Sequence, residues 1–231
     1  MRLARLMVLD HIKESDRNIK RKFNTFYGRD IVHIIDPLPE HVSIDNVLKR
    51  VESTGIDPNL VRDVDAIYIG EFDLLAQRDI SALYYHDTIY ISNDQENEND
   101  IYNDLIHELA HAIESKKKEY IYGDALLERE FMKKRRQVYD SFVELKFDID
   151  WQDMSNPNYV KELDFFLHKV VGYDMLAHII NGIFVSPYSV TSLREYWAKG
   201  FEHYLLGKSL ELKELCPVLY DKIDEIFKQG E

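Results

Sequence analysis

The segment His107-Glu108-Leu109-Ala110-His111 carries two imidazoles four residues apart with a carboxylate between them. On a helix that separation is just over one turn, so both rings share a face and one rigid element offers two metal ligands. A catalytic zinc centre takes three protein ligands and keeps a fourth position open. The surrounding pattern is helical. Ile101, Leu105, Ile106, Leu109, Ala110 and Ile113 follow a polar stretch at 93–100 that reads as an exposed loop ending in a capping residue. On such a helix Leu105, Leu109 and Ala112 pack the side away from His107 and His111.

A histidine pair can instead be structural, each ring donating to a backbone carbonyl, so the third ligand matters. The chain has a single cysteine, Cys216, which rules out an intramolecular disulfide and a thiolate cluster; beside Pro217 in an apolar stretch it reads as core filling. Ligands must come from His, Asp or Glu. Nothing after His111, through Ala112-Ile113-Glu114-Ser115-Lys116-Lys117, supplies a third histidine. Glu195 and Glu202 lie seven residues apart on one predicted helix and face the same way, with Ala198 and Gly200 small enough for close approach to the histidine helix. Glu195 is preferred because Ala198, one turn on, leaves room beside the metal; Glu202 then has a supporting or structural role.

These residues need a scaffold, and 231 residues with 45% hydrophobic content suffice for one globular unit. The expected domain is single, 1–231, with a sheet and metal-helix part at about 28–117 and a helical part at about 123–231 that carries the third ligand. Ile31–Ile35 and Ala66–Gly70 read as strands, and Leu83–Ser92 as a hairpin broken at His86-Asp87. Ser43 caps a helix through Ile44, Val47, Leu48 and Val51. Residues 11–27, with Ile12, Ile19, Phe23 and Phe26 spaced among charges, read as a helix ending at Gly28. Past 123 the pattern is helical at about 123–146, 158–171, 173–181, 192–207 and 210–229. The class is α+β: a small mixed sheet with an active-site helix, followed by a mostly helical part.

A formal net charge of −13, from 42 acidic against 29 basic residues, argues against a nucleic-acid partner. The basic runs Lys116-Lys117-Lys118 and Lys133-Lys134-Arg135-Arg136 read as solvated helix faces. No apolar run is long enough for a membrane span, and the first ten residues do not form an export signal, which points to a cytoplasmic protein or one secreted by another route.

The combination of His107-Glu108-x-x-His111 with Tyr188, six intervening residues, then Glu195-Tyr196-Trp197-Ala198 resembles the catalytic domain of anthrax lethal factor and the related Pro-Pro endopeptidases. The resemblance spans roughly residues 60–210 in order of elements, and its specific part is the motif positions. It implies a zincin-like fold in which His107, His111 and Glu195 bind Zn²⁺, Glu108 is the general base and Tyr188 helps stabilise the oxyanion. Lys199 departs from the pattern, since the ligand helix of that family often carries an acidic residue there.

The expected function is therefore a zinc-dependent metalloendopeptidase that hydrolyses peptide bonds of an extended peptide or protein substrate by a zinc-activated water. The alternative is a catalytically idle zincin scaffold acting as a binding or regulatory protein; retention of Glu108 speaks against it. Among other histidines, His86 reads as an exposed turn residue, and His168, His178 and His203 as surface or hydrogen-bonded core residues. Glu114, one turn after His111, reads either as an acceptor orienting an imidazole or as a surface carboxylate.

Overall fold

The computed structural model describes residues 23–228. The fold is α+β: a five-stranded mixed sheet, a long helix carrying His107 and His111, and a mostly helical C-terminal part. The chain falls into two compact units, residues 1–112 and 113–231, with the boundary inside the long helix.

In the first unit the strands are β1 (Phe23–Phe26), β2 (Arg29–Ile34), β3 (Ala66–Gly70), β4 (Ala82–Tyr85) and β5 (Thr88–Ser92). Their order is β1-β2-β3-β5-β4: parallel between β2, β3 and β5, antiparallel at both margins. Two tight hairpins make the antiparallel edges. Tyr27 and Gly28 have φ of 47° and 73°, and His86 and Asp87 have 48° and 59°, the backbone sign that two-residue turns need to match strand twist. The second hairpin is the one expected at His86-Asp87, with His86 exposed. The first corrects the expectation of a helix over 11–27. Residues 11–22 lie outside the described residues, but Phe23–Phe26 is a strand registered against Arg29–His33.

Partners across strands share a face, so Val32, Ile67, Ile89 and Tyr84 form one row, followed by Ile69 and Ile91; none is more than 7% exposed. Helix α1 (Ile44–Glu52) adds Val47, Leu48 and Val51 to the unit's core, and Ser43 Oγ caps it by accepting the N–H of Asn46. A short helix α2 (Asp73–Ala76) follows β3. Helix α3 (Glu98–Tyr122) buries Ile101, Leu105, Ile106 and Leu109 completely. Each such side chain contributes about 1.5–3 kcal/mol relative to an exposed one, which holds the register of the helix. In the preceding loop Gln95 is buried rather than exposed, its Nε2 donating to Asp104.

The second unit contains α4 (Leu126–Glu144), α5 (Trp151–Met154), α6 (Lys161–Phe165), α7 (Tyr173–Ile179), α8 (Leu193–His203), α9 (Ser209–Leu215) and α10 (Pro217–Lys228). The single helix expected at 210–229 is two, because Pro217 cannot donate to a continuing ladder. The Phe131 ring lies 5.4 Å from Tyr196 and 6.0 Å from Phe184 at the centre of this unit. Glu130 accepts from the Tyr196 hydroxyl and from the N–H groups of Val218 and Leu219, capping α10. Gly200 serves this packing: a Cβ there would come within 2.3 Å of Leu219 Cδ2, so its small size admits Leu219 of α10.

The basic run on α4 is solvated only at its ends: Lys133 and Arg136 are exposed, but the two residues between them are not. Arg135 is wholly buried and Lys134 is 8% exposed. Lys134 Nζ donates to the carbonyls of Ile183 and Leu215. Arg135 donates to four backbone carbonyls, those of Met154, Asn156, Val190 and Thr191. Burial lowers the Arg135 pKa to about 10, which still leaves it charged at neutral pH. Cys216 is buried, as expected. Among the described residues no helix is long and apolar enough to cross a membrane.

Candidate metal centre

Helix α3 runs without a break through the motif; its one non-helical residue, Lys117, comes later. The His107 and His111 rings lie 4.8 Å apart at 88°, edge to face, so they converge rather than stack. His111 is 4% exposed and His107 half-buried.

The third residue comes from the first turn of α8. Ser192 caps that helix by accepting the N–H of Glu195 at 3.1 Å. A Ser-x-x-Glu pair at a helix start often closes reciprocally, the glutamate bonding back to the cap amide. Here the ligating atoms of His107, His111 and Glu195 all lie within 4.8 Å of one another. Glu202 is not in this group; it pairs with Lys199 at 2.7 Å. Lys199 is thereby paired on its own helix.

The donor set fits a small divalent cation. A tetrahedral ion with bonds of about 2.1 Å spaces its ligand atoms about 3.4 Å apart, a contraction from the 4.8 Å limit that side-chain rotation can supply. Two imidazoles and a carboxylate leave one charge of a divalent ion uncompensated, which suits a Lewis acid.

Glu108 is 5% exposed, and its Oε2 accepts the backbone N–H of Tyr84 at 2.5 Å. The edge strand β4 supplies that amide for a reason of register. Ser92 donates to Ser81, so residues 81, 83 and 85 turn their amides toward β5 and Tyr84 turns its own away. The Tyr84 hydroxyl donates to Asp87 across the hairpin.

Tyr188 occupies a 3₁₀ turn, Pro187–Val190, directly ahead of α8. Burial raises its pKa far above the ordinary tyrosine value, and the negative charges of Glu195 and then Asp164 raise it further, so the phenol stays a proton donor. Tyr173, stacked on His168 at 4.9 Å, is pushed up to about 12, by burial first and then by Asp164 and Glu195. Asp164 accepts from the Tyr159 hydroxyl at 2.9 Å.

Sequence reasoning named Glu114 but gave no role to Arg194 or Arg135. Glu114 is not a surface carboxylate: it is 8% exposed, with Oε1 accepting from the Tyr122 hydroxyl at 2.9 Å and Oε2 from Arg194 Nε at 3.1 Å. Its place three residues after His111, and that of Arg194 one residue before Glu195, were visible signals. Arg135 carried none, because its partners are main-chain carbonyls. No family model matches this chain, and no curated protein and no solved structure matches it either.

Proposed function

We propose that this chain is a zinc-dependent metalloendopeptidase. The observation that carries the reading is the grouping of His107, His111 and Glu195 within 4.8 Å, with the motif carboxylate Glu108 buried beside two of them on the same helix. Zinc, when bound, supplies a Lewis acid that makes water nucleophilic near neutral pH and polarises a carbonyl. Glu108 takes a proton on its carboxylate and returns it to the leaving amine. The Tyr84 amide fixes the orientation of that carboxylate. Tyr188 donates its phenolic proton to the developing oxyanion, a role its resemblance-derived spacing to Glu195 suggests and its raised pKa supports. The buried, oriented glutamate favours an active enzyme over an idle scaffold, which has no use for a base.

Metal analysis of the wild-type protein and Glu195→Ala, beside a peptide-library cleavage assay of wild type and Glu108→Gln, tests the proposal. Zinc at one equivalent in wild type and much reduced in Glu195→Ala is expected. Cleavage should vanish in Glu108→Gln while zinc remains. Full zinc occupancy in Glu195→Ala sinks the ligand assignment, and cleavage surviving Glu108→Gln sinks the mechanism.

A further inference from the structure

Glu114 sits on the histidine helix three residues after His111, and it takes a donor from each of two directions. One oxygen accepts from Tyr122, two turns on and beyond the irregular Lys117; the other accepts from Arg194. Arg194 is the residue before Glu195, in the first turn of α8. The ion pair is asymmetric in exposure: the Glu114 side chain is 10% accessible and that of Arg194 49%. With its arginine half-exposed and screened by solvent, such a pair adds little stability by itself. A buried carboxylate given two donors is an expensive way to obtain so little, so its use is better sought in placement.

The placement is specific. One end of the pair is one turn from a ligand on α3, and the other end is the immediate neighbour of a ligand on α8. The Tyr122 phenol, whose pKa is raised by burial and then by Glu114, also senses Arg194 and Glu195, which puts the third ligand in the same small neighbourhood as the clasp. Sites that bind metals or substrates tolerate only fractions of an ångström of slack in such supports.

We infer that Glu114 is a positioning residue for the metal centre: held by Tyr122, it grips Arg194 and thereby sets where the first turn of α8 presents the Glu195 carboxylate. This rests on the proposed metal site but makes its own prediction. The clasp acts on metal affinity through geometry, and it supplies no ligand.

The test is zinc affinity of the full chain, by competition with a chromophoric chelator, for wild type, Glu114→Gln, Arg194→Gln, the double variant and Arg194→Lys. Urea unfolding of each zinc-free protein and the visible absorption of each cobalt(II) form are recorded alongside. Loss of an outer support of a metal site weakens affinity by about 10- to 100-fold. Each single glutamine variant should show that loss, the double variant no more than the worse single one, and Arg194→Lys a partial recovery. The cobalt band should shift in both single variants. Zinc affinity within about twofold of wild type in both, with only stability changed, overturns the inference, as do fully additive losses, which mean independent effects. Arg194→Gln, half-exposed, decides the matter where Glu114→Gln does not fold. A wild-type chain that binds no zinc overturns the metal site itself, an outcome distinct from any of these.

Discussion

The carboxylate of Glu108 is held by a main-chain group: Oε2 accepts the N–H of Tyr84 at 2.5 Å, twenty-four residues earlier in the chain. Because register turns this amide away from β5, proline at position 84 removes the donor without breaking a ladder bond. Hydrogen bonds to charged groups are worth about 1.5–3 kcal/mol, so Tyr84→Pro should lower kcat by about 10- to 100-fold with zinc content unchanged. Tyr84→Phe, which removes only the hydroxyl bonded to Asp87, should stay within about threefold of wild type. Wild-type turnover in Tyr84→Pro means the amide does not orient the base.

Arg135 makes the complementary case for main-chain recognition in the second unit. Its four carbonyl partners lie at 154–156 and 190–191, and the latter pair joins the Tyr188 turn to the cap of α8. Arg135→Met leaves several buried carbonyls without donors, each costing about 1–3 kcal/mol. Urea unfolding should show a loss of about 3–5 kcal/mol, and Arg135→Lys an intermediate one, since an ammonium cannot span the same fork. A loss below about 1 kcal/mol for Arg135→Met contradicts this account.

Arg135 also marks where the sequence stops being informative. His107, His111 and Glu195 are legible because helical periodicity and a chemical requirement point to the same residues. Periodicity also places the hairpin at His86-Asp87 and the Ser43 cap. A run of four basic residues looks solvated, because charged side chains are rarely buried without a charged partner; the clustering of carbonyls that receives Lys134 and Arg135 arises from distant loops. Phe23 and Phe26 fit a helical period by accident. For Phe23 and Phe26 the pairing with β2 across a Tyr27-Gly28 turn overrode local spacing.

The lone thiol should be silent in the native protein. Cys216 is fully buried, and burial raises its pKa above the ordinary cysteine value, so both access and thiolate are scarce. A disulfide reagent such as DTNB should consume no thiol from the native chain over minutes and one equivalent per chain in denaturant. Rapid native labelling contradicts the burial of the α9–α10 junction.

Acid stability should report the pairing of Lys222 with Asp124. Lys222 Nζ donates to the Tyr120 carbonyl and to Asp124 Oδ2 at 2.8 Å, and the hydrogen bond from Lys222 lowers the Asp124 pKa from its ordinary 3.8. A depressed carboxylate favours the folded state above its unfolded pKa, and that contribution fades as pH falls through the folded value. The Tm difference between wild type and Asp124→Asn should thus be present at neutral pH and shrink below about pH 4. A difference that grows on acidification reverses the assigned sign.

Tyr188 gives the sharpest division between catalysis and structure. Its phenol is held protonated by burial and by the negative charge of Glu195, so it keeps its proton through the neutral and mildly alkaline range. An oxyanion donor matters only where charge develops, so its removal should fall on kcat and leave binding nearly untouched. Tyr188→Phe keeps the ring and deletes one oxygen; turnover should drop by about 10- to 1000-fold, in the range for such donors. KM and zinc affinity should stay within about threefold, and the alkaline limb of the pH profile should not move, because a phenol with so high a pKa does not titrate there. A rise in KM at constant kcat places Tyr188 in substrate binding, and a loss of zinc assigns it to holding α8.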